Sequence, residues 1–211
     1  MLEVQALTNK ILEVRRTVQS GRSVLVAITG IDGAGKGYIA AQLDKTLRAN
    51  GVRTAVVNID GWLNLPGRRF DPSNPAEHFY LHAIRFDEMF AQLVLPLRDR
   101  RSIRCEVEYA EETAAAYRRH IYKFEGIDVI LLEGIFLLKK AFQSYYDLSC
   151  WIDCSFDTAL ERAIARGQEG LSLEDTTHAY RTIYFPAQEI HFQRDFPRAA
   201  ATVIFNNDIR A

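Results

Sequence analysis

The sequence lacks the features that mark secreted or membrane proteins. Its 211 residues include three cysteines, Cys105, Cys150 and Cys154, and this odd number has no zinc-like spacing. No apolar run approaches the roughly 20 residues that cross a membrane. The N-terminus has no basic region followed by an apolar one, as a signal peptide would. We therefore expect a cytoplasmic protein in a reducing environment, without a membrane partner.

Net charge and repetition are also low. The formal net charge is -1, and a protein without a basic excess is not expected to bind nucleic acid. Internal repeats and low-complexity tracts are absent, and the apolar share of 48% is ordinary for a globular chain. The length predicts one domain spanning residues 1–211. The oligomeric state stays open, with a homo-oligomer as one option.

The most informative stretch is glycine-rich and runs from Gly30 to Gly37, with the sequence GIDGAGKG. The apolar run 24–28 before it predicts a buried strand, and apolar residues at helical spacing in 38–49 predict a helix. Strand, glycine turn and helix form the context of a phosphate-binding loop, in which Lys36 reaches the terminal phosphates. A glycine-rich turn without a ligand is the alternative. The residues expected to contact a nucleotide are Gly30, Asp32, Gly33, Ala34, Gly35, Lys36, Gly37 and Tyr38.

The last position of this motif departs from the usual pattern. Gly37 stands where a serine or threonine hydroxyl ordinarily binds Mg²⁺. The departure therefore removes an expected Mg²⁺ ligand but keeps the residues expected to contact phosphate.

Strands and helices alternate along the chain. Buried strands are predicted at 24–28, 53–59, 127–134, 148–152 and 202–205, with a half-exposed strand at 102–109. Helices are predicted at 2–19, 38–49, 74–98, 110–120, 136–146, 157–166 and 174–196, with bends or ends near Pro96 and Pro186. The pattern predicts an α/β, three-layer P-loop NTPase fold with a five-stranded parallel sheet, helices on both faces, a small β excursion and a short lid near 162–172.

Two carboxylates follow predicted strands and should meet the glycine loop at one edge of the sheet. Asp60 is the candidate general base, which would receive the proton of an acceptor hydroxyl; the alternative is a plain turn residue. Glu133 ends the third buried strand and would orient Mg²⁺, with Asp60 beside it; the alternative is a helix-capping carboxylate.

Arginines and aromatic residues are the remaining candidates. Arg162 and Arg166 lie four residues apart on one helix face and could neutralise a transferring phosphoryl group, or could form a solvated face with Glu161. The pair Arg68-Arg69, in the loop after Asp60, is expected to be solvated, with contact to a substrate as the alternative. The aromatic residues expected in the core, with an acceptor pocket as the alternative, are Trp62, Phe70, Phe79 and Tyr80.

With these residues assembled, the chain resembles the uridine kinase/phosphoribulokinase family of P-loop kinases, to which bacterial pantothenate kinases are related. The resemblance covers most of residues 22–207. The stretches that carry it are Gly30–Lys36, Asp60-Gly61-Trp62, Ile130–Gly134, Arg162–Arg166, Pro186 and Asn206-Asn207. Tyr109 matches a uridine kinase segment at the tyrosine alone, and the lid after Arg166 is shorter than in the family.

The resemblance implies an ATP-dependent, Mg²⁺-using kinase that phosphorylates a hydroxyl of a small metabolite such as a nucleoside, a pantothenate-like compound or a sugar. It implies catalytic roles for Lys36, Asp60, Arg162 and Arg166, and a position near adenine for Asn206. A nucleotide-binding regulatory protein without phosphoryl transfer is the alternative, with Gly37 as its main support. A GTPase-like switch is disfavoured because the chain has no guanine-reading Asn-Lys-x-Asp stretch.

Overall fold

The computed structural model describes residues 2–19, 21–167 and 170–208. Its strands are β1 (Val24–Gly30), β2 (Thr54–Asn58), β3 (Ile103–Tyr109), β4 (Arg118–Phe124), β5 (Val129–Gly134), β6 (Leu148–Asp153) and β7 (Val203–Asn206). Its helices are α1 (Leu2–Thr17), α2 (Lys36–Ala49), α3 (Pro66–Arg69), α4 (Pro75–His82), α5 (Phe86–Met89), α6 (Leu95–Arg100), α7 (Phe156–Arg166), α8 (Leu173–Ala179), α9 (Phe185–Asp195) and α10 (Pro197–Ala200). None of these helices combines the length and the apolar character of a membrane-spanning segment.

Five strands form one parallel sheet in the order β2-β5-β1-β6-β7, flanked by helices, and this confirms the predicted fold class. Every residue of β1 and β5 is buried, as expected for continuous apolar strands at the centre of such a sheet. All five strands run the same way, so their carboxyl ends meet at one edge. Asn58, Glu133 and Gly30 lie at that edge on adjacent strands.

Helices α1 and α2 are amphipathic, as predicted. The α2 residues Ile39, Leu43 and Leu47 are buried, as their spacing predicts. In α1, Leu7 and Ile11 are buried, and the Thr8 hydroxyl lies 2.9 Å from the Thr46 hydroxyl of α2. α1 therefore packs on α2 and ends at Thr17, two residues before the predicted boundary.

The predicted helix at 110–120 is wrong. Residues Arg118–Phe124 form β4, which pairs antiparallel with β3 and completes a hairpin. Alternate residues of both strands are more buried than their neighbours, which is a strand period. Residues 114–116 are alanines that favour helix, but a single turn of good helix formers does not offset the cost of helix nucleation.

The predicted helix at 136–146 is also wrong. The segment forms tight turns and one short 3-10 helix, Gln143–Tyr145. Phe136 has a φ of 58°, which a right-handed helix does not allow. Phe136, Leu137 and Leu138 are consecutive and all buried, so they cannot share one face of a helix.

The predicted helix at 74–98 is two helical segments. The chain breaks near residues 83–85, where Ala83 O accepts from Asn64 N (2.9 Å) and Arg85 N donates to Trp62 O (2.9 Å). The second segment continues past Pro96, because a π turn at Phe90–Val94 joins α5 to α6 and accommodates the proline. A matching π turn at Tyr180–Tyr184 precedes Pro186 and joins α8 to α9, at the predicted bend.

Candidate active site

A crevice of about 370 Å³ opens at the carboxyl edge of the sheet. Its lining residues are Asp32, Gly33, Gly35, Lys36, Gly37, Tyr38, Asn58, Asp60, Leu63, Phe79, Glu112, Glu133, Gly134, Ile135, Arg162, Arg166 and Tyr184. The sheet order explains how they are brought together. β5 lies between β1 and β2, so its end forms a floor between two walls roughly 10 Å apart, twice the usual strand spacing.

We name the two walls by their residues. The loop wall follows β1 and comprises residues 30–38, of which 32, 33 and 35–38 line the crevice, with Arg162 and Arg166 of α7. The second wall lies beyond β2 and comprises Asn58, Asp60, Leu63, Phe79, Glu112 and Tyr184. The three strand-end features predicted from sequence, at Gly30, Asp60 and Glu133, therefore meet around this crevice.

The glycines of the loop wall are required by close packing and by backbone conformation. Gly33 has a φ of 77°, and a Cβ there would lie 2.4 Å from the carbonyl oxygen of Ala159. A Cβ on Gly30 would lie 2.6 Å from the carbonyl oxygen of Ile152. The loop therefore lies directly against β6 and α7, in a conformation that other residues rarely adopt.

The loop leads into the N-terminus of α2, where backbone donors are free. Within the described residues, the N–H groups of Gly35, Lys36 and Gly37 have no hydrogen-bond acceptor, as is normal for the first turn of a helix. By contrast, Gly33 N donates to its neighbour Asp32 Oδ1 (2.8 Å) and Ala34 N donates to Ile31 O (3.2 Å). The free amides and the helix dipole make this end of the loop suited to an anion.

Lys36 adds a positive charge to the same place. Its Nζ donates to Ile31 O (2.9 Å), so the side chain folds back along the loop and stays largely buried while it lines the crevice. A buried ammonium beside free amides reinforces the preference for phosphate.

The two predicted carboxylates face this charge. Asp60 lies in a 3-10 turn directly after β2, and its N–H donates to Asn58 Oδ1 (2.6 Å). Its side chain is open to the crevice, yet the surrounding walls raise its pKa, with a further contribution from the charge of Asp32. Glu133 is buried, and burial raises its pKa to about 7, with Asp60 adding to the effect and Lys36 opposing it.

These acidic groups fit a magnesium ion held together with nucleotide phosphates. The described residues contain no group of three or more His, Cys, Asp or Glu side chains that could hold a metal unaided. Mg²⁺ in nucleotide sites needs one or two carboxylates, and phosphates and water supply its other ligands. A Cβ on Gly37 would lie 3.7 Å from Glu133 Oε1, so residue 37 faces this carboxylate. Glu133 and Asp60 are the side chains that would hold the ion.

α7 carries both candidate arginines to the loop wall. Arg162 Nη2 donates to Asn207 O (2.8 Å), and its Nη1 lies 3.4 Å from Ala34 O. Arg166 Nη2 lies 3.8 Å from Asp32 Oδ1, and Tyr180 OH donates to the other oxygen of Asp32 (2.9 Å). The structure thus places both guanidinium groups beside the phosphate loop.

The predicted lid at 162–172 begins in α7 and ends where α8 starts. α7 stops at Arg166, where Gly167 adopts a left-handed conformation with a φ of 57°. Ser172 caps α8 by accepting a hydrogen bond from Asp175 N. Residues 168 and 169 of the predicted lid lie outside the described residues.

Two features around the crevice were not predicted from the sequence. Asn207, next to the predicted Asn206, contacts the loop: its Nδ2 donates to Ala34 O (2.8 Å) and lies 2.6 Å from a Cβ placed on Gly35. Asn206 is exposed, its side chain accepts from Asp208 N (3.0 Å), and it does not line the crevice. The asparagine pair after the last strand indicates that this segment lies near the loop. The sequence does not indicate which of the two asparagines makes the contact.

The second missed feature is an ion pair behind the second wall. Arg69, expected in a solvated loop, is 1% exposed, and its Nη1 donates to Glu112 Oε1 (2.8 Å). Glu112 lines the crevice. Trp62 is in the core as expected, whereas Phe79 is both a core residue and part of the crevice lining.

Comparison with known proteins agrees with this architecture. The sequence matches the model of the Phosphoribulokinase / Uridine kinase family over residues 25–205. Curated protein sequences gave no significant match. A possible uridine kinase from Bacillus stearothermophilus has a TM-score of 0.69 at 19% identity, with 95% of this chain and 99% of that chain covered.

Two further solved structures share the fold. A Silicibacter protein described as a fructose transport system kinase has a TM-score of 0.72 at 19% identity, covering 96% of this chain and 98% of that one. D-glycerate 3-kinase from Cryptococcus neoformans has a TM-score of 0.68 at 13% identity, covering 99% and 96%. At such identities the structures establish the fold alone, and the sequence match over residues 25–205 establishes more: the chain belongs to the phosphoribulokinase/uridine kinase family of P-loop kinases.

Proposed function

We propose that the protein is an ATP-dependent phosphotransferase that phosphorylates a hydroxyl of a small metabolite, with residues 1–211 acting as one kinase domain. The observation that supports this best is the position of the Asp60 carboxylate. It faces the crevice opposite the phosphate loop, where an acceptor hydroxyl must lie to attack a terminal phosphate.

Asp60 would act as the general base. It accepts the proton of the acceptor hydroxyl as that oxygen bonds to the γ-phosphorus of ATP, and the bond to the ADP oxygen breaks. The proton then passes to solvent, leaving a phosphate ester and ADP. The raised pKa of Asp60 makes this carboxylate a stronger base than an ordinary aspartate.

The loop wall would bind the phosphates of ATP and neutralise their negative charge. The free amides of Gly35–Gly37 hold the β-phosphate, and Lys36, Arg162 and Arg166 neutralise the phosphoryl group during transfer. Mg²⁺ held by Glu133 and Asp60 would shield the charge of the phosphates. Asn207 joins the loop to the segment after β7, beside which the resemblance to the family places adenine.

A nucleotide-binding regulatory protein is the second candidate, and Gly37 is the observation that favours it. Without a hydroxyl at this position, the protein provides one fewer ligand for Mg²⁺. The kinase is preferred because the base, the lysine, the acidic floor and both arginines all line one crevice.

The test measures ATP consumption over a panel of nucleosides, sugars, sugar phosphates and pantothenate, with and without Mg²⁺, together with direct ATP binding. We expect acceptor-dependent, Mg²⁺-dependent ADP formation. Lys36→Ala should weaken ATP binding, because a charged hydrogen bond to phosphate is lost. Lys45→Ala, on the exposed face of the same helix, is the matched control. Unchanged ATP affinity in Lys36→Ala would contradict the phosphate site, and ATP binding without turnover across the panel would favour the regulatory protein.

A further inference from the structure

The positive charges of the crevice all lie on one wall. Its positively charged lining residues, Lys36, Arg162 and Arg166, belong to the loop wall, where the acidic lining residue Asp32 lies 3.8 Å from Arg166. The charged residues of the second wall are Asp60 and Glu112, and both are acidic. A molecule bound between the phosphate loop and the second wall therefore meets cations on one side and carboxylates on the other.

Two buried arginines lie behind the second wall, and neither alters this pattern. Arg85 Nε lies 3.4 Å from Leu63 O, but its guanidinium pairs with Glu88 (2.7 Å) and does not line the crevice. Arg69 is almost fully buried, and its guanidinium is engaged by Glu112 through both the Oε1 atom (2.8 Å) and the main-chain oxygen (2.5 Å). It does not line the crevice. Its charge is therefore used to hold Glu112 in place and is not presented to a ligand.

Glu112 retains a free acceptor after this pairing. Arg69 binds Oε1, and no donor within the described residues bonds to Oε2. The side chain is about 31% exposed and lines the crevice. Glu112 and Asp60 line the same crevice. Burial raises the pKa of Glu112, Arg69 opposes this, and the charge of Asp60 adds to the increase. A carboxylate oxygen held rigidly beside a cavity is a good acceptor for a ligand hydroxyl.

The same wall also provides apolar surface. Leu63, Phe79 and Tyr184 line the crevice beside the two acids. A ligand with a carbon face and hydroxyl groups on its edge would satisfy both kinds of surface.

We infer that the phosphate acceptor is an uncharged polyhydroxylated molecule, such as a nucleoside or a free sugar, and that Glu112 binds one of its hydroxyls that does not react. This inference rests on the proposed kinase function and narrows its substrate class. A carboxylate or phosphate group on the acceptor would face Asp60 and Glu112 without a compensating cation, and such like-charge contacts reject a ligand. Glu112 takes no part in proton transfer and acts as a specificity residue.

The test compares neutral acceptors with acidic relatives that keep the same primary hydroxyl. The pairs are uridine with orotidine, D-ribose with D-ribonate, and pantothenol with pantothenate. We expect kcat/KM to favour the neutral member by at least about ten-fold in every pair that reacts. Preference for an anionic member, or no turnover and no binding with any neutral member, overturns the inference. Measured ATP binding separates the two proposals, because its absence would overturn the proposed function itself.

A variant tests the residue. Glu112→Gln keeps an oxygen for Arg69 but removes the negative charge, and should raise KM for the neutral acceptor about ten-fold while KM for ATP stays unchanged. The preference for neutral acceptors should shrink in parallel. Glu111→Gln is the matched control, because Glu111 is exposed, pairs with Arg118 and does not line the crevice. The comparison uses folded samples of Glu112→Gln, Glu111→Gln and the unmodified protein. Equal KM values for the acceptor in all three would contradict the assignment.

Discussion

The loop wall and the second wall are built by different means. The loop wall is made from nine consecutive residues, 30–38, and the arginines of α7, and its fit depends on backbone amides and on glycines that admit no side chain. The second wall is made from side chains that lie between residues 58 and 184 of the chain. In the proposed kinase, phosphate recognition is therefore local in sequence, whereas acceptor recognition depends on tertiary packing. A single substitution should therefore impair the loop wall by disturbing its backbone conformation. At the second wall, a single substitution should act by removing a functional group.

The largest expected effect is on the chemistry of the second wall. Asp60→Asn keeps the shape of the side chain but removes the base, and should lower kcat by about 10²–10⁴-fold with ATP affinity unchanged. Asp71→Asn is the control, because Asp71 lies in the following loop, is partly exposed and bonds to Ser73. Steady-state kinetics with the best acceptor of the panel, alongside ATP binding, measure both. Full turnover in Asp60→Asn would make Asp60 a turn residue.

The next effect is geometric and belongs to the loop wall. Gly33→Ala introduces a Cβ against the Ala159 carbonyl oxygen and requires a residue with a side chain at positive φ, which costs about 1–3 kcal/mol. We expect ATP affinity to fall roughly 5- to 150-fold by the same free energy. Calorimetric titration with ATP measures it.

A glycine near the second wall gives the matched control. Gly67, in α3, has open space where a Cβ would lie. Gly67→Ala should leave ATP affinity unchanged and raise the free energy of unfolding by about 0.5–1 kcal/mol. If both glycine variants bind ATP equally well, ATP binding does not depend on the backbone conformation of the loop wall.

The smallest effect concerns the floor between the walls. A Cβ on Gly37 has room beside Glu133 Oε1, so Gly37→Thr can place a hydroxyl next to the proposed metal ligand. We expect the Mg²⁺ concentration for half-maximal activity to fall a few-fold, roughly 1 kcal/mol in metal binding. Gly37→Val has the same shape without the hydroxyl and is the control. No shift of the Mg²⁺ midpoint in Gly37→Thr relative to Gly37→Val would show that residue 37 does not act on the metal.

The same contrast explains what could be predicted from the sequence. The glycine loop, the five parallel strands and the positions of Asp60 and Glu133 at strand ends follow from local patterns and from the rule that parallel strands end at one edge. β1 and β5 are buried on both faces, and their apolar runs are the direct result.

Glu112 could not be found in this way. It lies in the hairpin turn between β3 and β4, within the segment 110–120 for which the sequence predicts a helix. The strand period of β4 becomes evident only when β3 is placed beside it. Its partner Arg69 lies 43 residues away, and burial of an arginine follows from such a pairing and not from its neighbours in sequence. The helix predicted at 136–146 was wrong for a related reason. Three consecutive side chains there are buried by tertiary packing, and this burial cannot be inferred from the local sequence.

The π turn that precedes Pro186 has a consequence for how the protein can vary. A π turn holds one residue more than an α-helical turn, and removing it would rotate everything downstream by about 100° about the helix axis. In α9 that rotation would withdraw Gln188 and His191 from the core. On the other side of the turn, Tyr180 would still hold Asp32 of the phosphate loop. This helix should therefore accept many substitutions but no single-residue deletion, because the length of the turn sets the rotation of α9 about its axis relative to the proposed active-site crevice.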